Sequence, residues 1–509
     1  MVASCRKYAE AIARDVGQQT SRKSTTAVER TIARFLGIDG VDDAGVPLPN
    51  VVVEHVRDRG PLAKGIAFWL GNAMVATGRP PAELAKGVAA GELDLCPSAT
   101  APDDAIRSAV REECARALER IRVARLHRVE ARRRIMGGTT PLLYVLTATG
   151  NVYEDVVHAI SVAENGGDVV SMTRSTAQSL LDYVPYGPTS EGYGGTYATQ
   201  ENFRIVREAL DEWSRANGRY VMLSSFCSGL CMPEIAAIAA MEGLDNLVND
   251  ALYGILYRDI NIARTLIDQR FSRQINGYFE VIINTGEDNY LRTADAVAAA
   301  PSVVASQMIN YFLAIDSGVP AEGIAIGNAF EIAPETPNGM LFELAQAQLT
   351  RELFPDCPVK YMPPTKHMDG NPFRTHACDS LFNLVTIATR QGIQTVGMPT
   401  EGVYTPHIHD RVFGLENSRY VFNAARDLAD EIEFTDGGII QRRAQEVLAE
   451  AHKLLEEIAT SDLFTAIEKG SFGNVSRRLD QGRGADGIFD VGEDYFNPCA
   501  ELMEAESGS

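Results

Sequence analysis

Long apolar runs and lysines are scarce in this chain of 509 residues. No stretch approaches the roughly 20 consecutive apolar residues that are needed to cross a bilayer, so we expect no membrane span. The opening MVASCRKYAEAIARDVGQ is charged and lacks the apolar segment of a secretory signal, which predicts a cytoplasmic protein. Eight cysteines are spread over a large chain, a usage that predicts reduced thiols rather than disulfide bridges.

Basic residues are also few, since the chain has 47 basic and 68 acidic side chains and a formal net charge of -21. A phosphate backbone would meet net repulsion, so we expect no nucleic-acid partner. The basic run IRVARLHRVEARRRI is a local exception, which we expect to face solvent, with an acidic partner as the alternative. Hydrophobic residues at 45% and charged residues at 23% are ordinary globular usage and predict a large buried core.

Several familiar site motifs are absent from the sequence. It contains no P-loop, no GxGxxG and no GxSxG elbow. Cys227 and Cys231 lie four residues apart, but Glu234 stands where a radical-SAM iron-sulfur site needs a third cysteine. His407 and His409 in TPHIHD lack the further ligands that complete a metal centre, so we expect no metal site.

Three segments differ in their hydrophobic pattern. Residues 1–135 have helical periodicity and predict a helical N-terminal extension, in which Thr26 and Glu29 have capping-box spacing. Residues 136–415 alternate short apolar runs with helical segments, which is typical of βαβ units. Residues 416–509 predict a helical and loop C-terminal extension.

Eight apolar runs in the central segment predict eight parallel strands. They are LLYVLTA at 142, DVVSMT at 168, YVMLSSF at 220, LVND at 247, EVIINTG at 280, IAIGNA at 324, VKYMPP at 359 and IQTVGMP at 393. Continuous Val/Ile/Leu runs indicate strands that are buried on both faces. The pattern therefore predicts an α/β fold, a (β/α)8 TIM barrel with helical N-terminal and C-terminal extensions.

Polar residues that follow the predicted strands are the candidate site, because chemistry in this fold lies at the carboxyl ends of the strands. Arg174, with Ser175, Thr176 and Ser179 after it, offers a guanidinium and hydroxyls of the kind that bind a phosphate monoester. A structural salt bridge is the alternative for Arg174. The loop 182–202 is rich in glycine and tyrosine and is too long for a connector, so we expect a lid or wall over a cavity.

Segments along nearly the whole chain resemble one known family, the alpha subunit of the adenosylcobalamin- and pyridoxal-phosphate-dependent lysine 5,6-aminomutase. They are STTAVERTIARFLGIDG, VPLPNVVV, TATGNVYED, QSLLDYVPYG, GGTYATQENFR, CSGLCMPEIAA, NDALYGILYRDIN, INTGEDNYL, KYMPPTKHM and YFNP. The resemblance implies a TIM barrel and an isomerase of lysine degradation. The implied reaction is a radical 1,2-amino shift from C6 to C5 of D-lysine or L-β-lysine, giving 2,5- or 3,5-diaminohexanoate.

The resemblance implies that four residues bind pyridoxal 5'-phosphate. Arg174 and Ser179 match positions that hold the cofactor phosphate, and Tyr253 matches the tyrosine that stacks on the pyridine ring. Ser228 matches a serine near the pyridine nitrogen. A neutral hydroxyl there would leave that nitrogen unprotonated, which suits radical delocalisation better than a carbanion.

For the substrate, the resemblance implies binding by Asp288 and Asn289, because a carboxylate is the natural partner of a diamino acid. Arg258 is a further candidate for the substrate carboxylate, with a helix-surface ion pair as the alternative. The implied lysine of the internal aldimine lies on the beta subunit. Lys360 and Lys366 are the lysines of the predicted barrel, and neither is a candidate for it.

The cobalamin motif DxHxxG is missing, since TKHMDG has Thr365 where the aspartate would stand. Adenosylcobalamin is therefore expected on a beta subunit, in an α2β2 enzyme of which this chain alone is an incomplete half. Two other functions stay open at this point. One is an ornithine 4,5-aminomutase-like barrel subunit, and the other is a catalytically inactive barrel scaffold.

Overall fold

The computed structural model describes residues 1–136, 138, 141–173, 177–286, 295–329 and 331–507. The strands in these ranges are β1 (Lys23–Thr25), β2 (Leu142–Leu146), β3 (Val169–Ser171), β4 (Met222–Phe226), β5 (Asn246–Val248), β6 (Ile282–Thr285), β7 (Ile324–Asn328), β8 (Lys360–Tyr361), β9 (Ile393–Thr395) and β10 (Ile488–Asp490). The α-helices are α1 (Val2–Thr20), α2 (Thr26–Phe35), α3 (Leu48–Arg59), α4 (Ile66–Thr77), α5 (Pro81–Ala89), α6 (Asp103–Met136), α7 (Val152–Glu164), α8 (Gln200–Asn217), α9 (Met232–Met241), α10 (Ile262–Tyr278), α11 (Ala296–Ile315), α12 (Gly339–Leu353), α13 (Pro372–Ala388), α14 (Ile408–Ala424), α15 (Leu428–Glu431), α16 (Ile439–Thr460), α17 (Leu463–Glu468) and α18 (Pro498–Ser507).

Strands β2 to β9 form a closed barrel in sequence order. Every neighbouring pair is parallel, and the barrel closes where Leu142 of β2 pairs with Ile393 of β9. Each strand falls within or next to one of the eight apolar runs, so the predicted (β/α)8 barrel is confirmed. The run LVND, the shortest of the eight, supplies Leu247 and Val248 of β5.

The amino end of the barrel is filled by apolar side chains and crossed by the long helix α6. Leu142, Met222 and Ile393 belong to the interior cluster there. Arg125 of α6 is buried and donates from Nε to the Phe279 carbonyl (2.9 Å) and from Nη1 to the Leu244 carbonyl (2.7 Å). The expectation that the basic run faces solvent is therefore wrong for Arg125, because it satisfies carbonyls at the ends of barrel helices.

The two terminal segments meet each other against the barrel. β1 pairs antiparallel with β10, so that Lys23 lies opposite Asp490. Cys114 of α6 and Cys499 of α18 form a disulfide across this junction. The expectation of reduced thiols is therefore wrong for these two, although the other six cysteines are free.

The start of α2 differs by one residue from the predicted capping box. Thr25, rather than Thr26, is the N-cap, and its hydroxyl accepts from Val28 N (3.1 Å). Glu29 turns away and accepts from Ile66 N (2.7 Å), the first residue of α4. Burial raises the pKa of Glu29 to about 6, and the predicted box is wrong because its carboxylate caps another helix.

One helix in the described part of the chain, α11, is long and apolar enough by length and composition to cross a bilayer. It buries the polar side chains of Ser306, Gln307 and Asn310. It also packs against α1 and α16. This placement is that of a core helix in the outer ring of the barrel.

Candidate active site

A cavity of about 540 Å³ opens at the carboxyl end of the barrel. Its size falls in the range of small-molecule and cofactor sites. The residues that line it come from most of the strands and the loops beyond them: Tyr144, Leu146, Thr149, Ser171, Thr173, Gly192, Gly194, Gly195, Phe226, Val248, Tyr253, Tyr257, Lys360, Met362, Thr365, Thr395, Glu401, Gly402, Val403, Tyr404 and Thr405. Three of them belong to the loop 182–202, so the predicted wall is confirmed.

Among the predicted site residues that the structure describes, Tyr253 lies directly on the cavity. It begins the π-helical turn Tyr253–Tyr257 that follows β5, a type of turn that is frequent at functional sites. Its ring meets the edge of Phe226 with centroids 5.3 Å apart, and Tyr257 lies 5.4 Å away. The ring is thus fixed by aromatic neighbours at the wall of the cavity.

Arg258 ends the same turn and holds the Tyr253 hydroxyl. Its Nε donates to Tyr253 Oη (2.9 Å), and its guanidinium lies 4.8 Å from the Tyr257 ring centroid. Within the described ranges Arg258 forms no ion pair, and its buried Nη2 has no hydrogen-bond partner. The surface ion pair considered above is therefore not formed among these residues, and Nη2 is available to an anion beside the cavity.

Ser179 and Ser228 lie together at one buried junction, each 2% exposed. Leu230 N donates to the Ser179 carbonyl (3.1 Å), and Gly229 packs so closely that an added Cβ would stand 2.6 Å from Ser179 Cα. Ser228 Oγ accepts from Asp250 N (2.8 Å) at the end of β5. The two predicted cofactor-binding serines are therefore brought together by the fold.

Three of the predicted site residues, Arg174, Asp288 and Asn289, lie outside the described residues. Thr173, directly before Arg174 in sequence, lines the cavity. β6 ends at Thr285, shortly before Asp288 in sequence. The assignments of Arg174, Asp288 and Asn289 stay predictions.

The strands carry a polar layer below the cavity that sequence reasoning missed. Tyr144 Oη lies 3.0 Å from Ser224 Oγ, which donates to Asn246 Oδ1 (2.8 Å). Asn246 Oδ1 also accepts from Asn284 Nδ2 (2.7 Å). Barrel interiors are usually filled by branched apolar side chains, so this hydrogen-bonded layer provides a polar floor. Alternation of inward positions along β2, β4, β5 and β6 is the signal that could have found it.

Lys360 of β8 is the second missed residue. It is 3% exposed, lines the cavity and places Nζ 4.3 Å from the ring centroid of Tyr144. Its sequence context gave no hint, since it lies within an apolar run rather than after one. An ammonium at this floor can pair with a carboxylate or phosphate of a ligand.

The cavity residues fit the chemistry of pyridoxal phosphate with an amino acid. Tyr253 offers an aromatic face and Lys360 a positive charge at the cavity, and Arg258 adds a second positive charge behind Tyr253, to which it donates a hydrogen bond. Thr395 Oγ1 is buried at the cavity wall and has no hydrogen-bond partner in the described part of the chain. This hydroxyl can hydrogen-bond to a polar ligand in the cavity.

The cysteines beside Ser228 are structural. Cys227 Sγ lies 3.2 Å from the Met232 carbonyl, and burial raises the pKa of the Cys227 thiol to about 12. Burial also raises the pKa of Cys231 well above its ordinary value. Both thiols are therefore inert at neutral pH. Among the described residues, no group of three or more His, Cys, Asp or Glu is placed to hold a metal.

Comparison with known proteins identifies the family. Residues 1–502 match the family model described as the D-lysine 5,6-aminomutase TIM-barrel domain of the alpha subunit. The chain is 52% identical to the lysine 5,6-aminomutase alpha subunit of Fusobacterium nucleatum over 504 residues, covering 99% of this chain and 97% of that one. It is 50% identical to the alpha subunit of Acetoanaerobium sticklandii over 503 residues, with the same coverages.

A more distant relative is the D-ornithine 4,5-aminomutase subunit beta of Acetoanaerobium sticklandii. It is 27% identical over 372 residues, which cover 70% of this chain and 50% of that one. The two relatives of 50% and 52% identity instead match over almost their full lengths. With the closed barrel and its polar cavity, these matches show that the chain belongs to the lysine 5,6-aminomutase alpha-subunit family, whose members are isomerases.

Proposed function

We propose that the cavity binds pyridoxal 5'-phosphate and D-lysine or L-β-lysine, and that the chain works with an adenosylcobalamin-carrying beta subunit to move the terminal amine from C6 to C5. The two cofactors supply the radical chemistry and the temporary hold on the migrating nitrogen. The observation that carries the proposal is the position of Tyr253, an aromatic ring that lines the cavity and accepts a hydrogen bond from Arg258, while Lys360 lines the same cavity.

In this proposal the residues of the chain bind and orient the reactants. Tyr253 stacks on the cofactor ring, Ser179 and Arg174 hold its phosphate, and Ser228 faces the pyridine nitrogen. The carboxylate of the amino acid pairs with Arg258, whose Nη2 has no hydrogen-bond partner in the described part of the chain. Asp288 and Asn289 bind its amino groups.

Lys360 contributes a second positive charge to the same cavity from below. Lys360 Nζ lies 4.3 Å from the ring centroid of Tyr144, and this cation–π contact holds the ammonium at the floor of the cavity. We therefore assign it an electrostatic role toward an acidic group of the ligand. The loop 182–202 and Tyr404 narrow the opening, which supports exclusion of water and stray hydrogen donors from the radical.

The partner is a beta subunit, as the alpha-subunit names of the relatives imply. We infer that the beta subunit carries adenosylcobalamin and the aldimine-forming lysine, in an α2β2 assembly in the cytoplasm. Support comes from the absence of DxHxxG in this sequence. Further support is that Lys360, the lysine that lines the cavity, contacts Tyr144 at the floor.

The test is reconstitution of the chain with its beta subunit and both cofactors, followed by assays with D-lysine, L-β-lysine and D-ornithine. We expect turnover of a six-carbon substrate and a preference over D-ornithine of about 10- to 200-fold, the usual effect of one methylene. The chain alone is expected to be inactive. A preference for D-ornithine would favour the ornithine enzyme, and inactivity of the full complex toward all three would favour the inactive scaffold.

A further inference from the structure

A cluster of buried charges lies behind the junction of Ser179 and Ser228. Arg30 of α2 and Arg264 of α10 are 1% and 0% exposed. Arg30 Nε donates to Glu234 Oε1 (2.6 Å), and Arg264 Nε donates to Asp268 Oδ2 (2.6 Å). Each buried guanidinium thus has a buried carboxylate partner, as charges removed from water require.

Both arginines extend their remaining nitrogens to one further carboxylate, Asp182. Arg30 Nη2 donates to Asp182 Oδ1 (2.6 Å), and Arg264 donates from Nη2 to Oδ1 (2.8 Å) and from Nη1 to Oδ2 (3.2 Å). Burial by itself would raise the pKa of Asp182, but the charges of Arg30 and Arg264 outweigh it and hold the pKa well below its ordinary value. Asp182 is therefore ionised across the neutral range.

Asp182 lies three residues after Ser179, and Leu181 separates it from the turn Gln178–Leu180. The same cluster also holds the segment that contains Ser228, because Arg264 Nη2 donates to the Leu230 carbonyl (3.0 Å). Leu230 N in turn donates to the Ser179 carbonyl (3.1 Å). Asp182 therefore fixes one end of the Ser179 turn, while Leu230 fixes its middle.

We propose that Asp182, clamped by Arg30 and Arg264, is a positioning residue that sets the geometry of the Ser179 turn and thereby the affinity of the cofactor-phosphate site. None of these three residues lines the cavity. The inference rests on the proposed function, which places the cofactor phosphate at Ser179. It also gives the N-terminal extension a role in the active site, since Arg30 belongs to α2 rather than to the barrel.

A second extension-to-barrel ion pair provides a matched control. Arg128 of α6 donates to Asp211 of α8 through two nitrogens, at 2.7 and 2.5 Å. The pair lies beside Tyr220, just before the start of β4, and is therefore at the amino end of the barrel. Loss of this pair removes a comparable link without touching the Ser179 turn.

The test uses the assembled complex of alpha and beta subunits, with Asp182→Asn as the main variant and Arg30→Lys as the second. Affinities are measured by absorbance titration with pyridoxal phosphate and, in parallel, with pyridoxal, which lacks the phosphate. We expect Asp182→Asn to weaken pyridoxal phosphate binding about 10-fold and to leave pyridoxal binding unchanged. Loss of a residue that orients a ligand-binding group typically lowers affinity about 10- to 100-fold, and we expect the lower end of that range here. Asp211→Asn should leave both affinities unchanged.

Arg30→Lys keeps the positive charge but loses the guanidinium fork that reaches Glu234 and Asp182 together. We therefore expect it, like Asp182→Asn, to weaken pyridoxal phosphate binding relative to pyridoxal binding. Equal losses for the two ligands, or no loss in Asp182→Asn, would overturn the inference. Ser179→Ala separates the two levels of the proposal. If Ser179→Ala lowers the affinity for pyridoxal phosphate and Asp182→Asn does not, the clamp alone is wrong; if Ser179→Ala has no effect, the phosphate assignment of the proposed function is wrong.

Discussion

At the scale of single residues, the Tyr253–Arg258 pair links the two halves of the proposed site. The ring faces the cavity, and the hydroxyl holds the arginine that we assign to the substrate carboxylate. Mutation can therefore test the Tyr253 ring and its hydroxyl separately. The ring is assigned to the cofactor, and the hydroxyl acts on the substrate through Arg258.

We expect Tyr253→Ala to weaken pyridoxal phosphate binding about 2- to 13-fold, because an aromatic pair contributes about 0.5–1.5 kcal/mol beyond its burial. Tyr253→Phe keeps the ring and should retain cofactor affinity while raising KM, since Arg258 loses its anchor. Cofactor titration and steady-state kinetics of the reconstituted complex measure the two effects. Equal cofactor affinities in the Ala and Phe variants would contradict the stacking role.

A second residue-scale prediction concerns Glu343, which is fully buried in α12 and accepts from Ile332 N (3.1 Å) and Tyr361 Oη (3.0 Å). Burial raises the pKa of Glu343 to about 7 from its ordinary 4.5. The folded state binds this proton more tightly than the unfolded state. The resulting stabilisation is therefore complete below about pH 4.5 and is lost as the pH rises through about 7.

Between these two pH values the wild type should lose about 3 kcal/mol of unfolding free energy relative to Glu343→Gln, which cannot titrate. Denaturant unfolding of both proteins at several pH values measures the difference. Glu352→Gln, on the exposed face of the same helix, is the matched control and should track the wild type. A difference that stays constant with pH would show that folding does not shift the pKa of Glu343.

At the scale of elements, the residues that cap α2 and α4 also hydrogen-bond to other parts of the molecule. Thr25 caps α2 at Val28 N and donates to the Asp268 carboxylate of α10. Glu29 of α2 caps α4 at Ile66 N and also accepts from Tyr495 Oη (2.9 Å). The positions of α2, α4 and α10 are therefore coupled, and α2 carries Arg30 of the proposed clamp.

Removal of the α2 cap by Thr25→Ala should lower the unfolding free energy by about 1–2 kcal/mol, because one amide and one carboxylate lose a partner. Thr25→Ser retains the hydroxyl and should cost much less. Thermal unfolding of the two variants beside the wild type gives the comparison. A similar loss in both variants would mean that the methyl group of Thr25, rather than its hydrogen bonds, stabilises the junction.

At the scale of the whole molecule, the described residues that line the cavity all belong to the barrel segment, and the two extensions pair with each other through β1 and β10. The division of the chain near residues 135 and 415 stays a prediction. The N-terminal extension nevertheless reaches Asp182, beside the Ser179 turn, through Arg30. The C-terminal extension in turn pairs with the N-terminal extension through β10 and β1. Truncation at either division would therefore affect more than a peripheral domain.

If the aldimine-forming lysine belongs to the beta subunit, borohydride treatment of the complex with pyridoxal phosphate should label the beta subunit alone. Mass spectrometry of the separated chains should find no pyridoxyl group on Lys360. The Lys360→Arg variant should be labelled to the same extent as the wild type. Recovery of the pyridoxyl group on Lys360 would overturn the assignment of that lysine to the partner.

The sequence by itself determined the barrel and the family. Parallel strands buried on both faces leave continuous apolar runs, which is why even the weak run LVND marked β5. The motif NDALYGILYRDIN predicts a cofactor-binding role for Tyr253, and Tyr253 lines the cavity. Such local patterns and motifs involve residues that are close in sequence, so they can be recognised without the structure.

Only the tertiary structure decided which distant residues meet. Lys360 lies inside an apolar run, and its inward direction depends on the strand register of the closed barrel. Arg30 meets Asp182, and Cys114 meets Cys499, across 152 and 385 positions of the sequence. Such contacts depend on how helices pack around the barrel, and neither periodicity nor spacing along the chain encodes that packing.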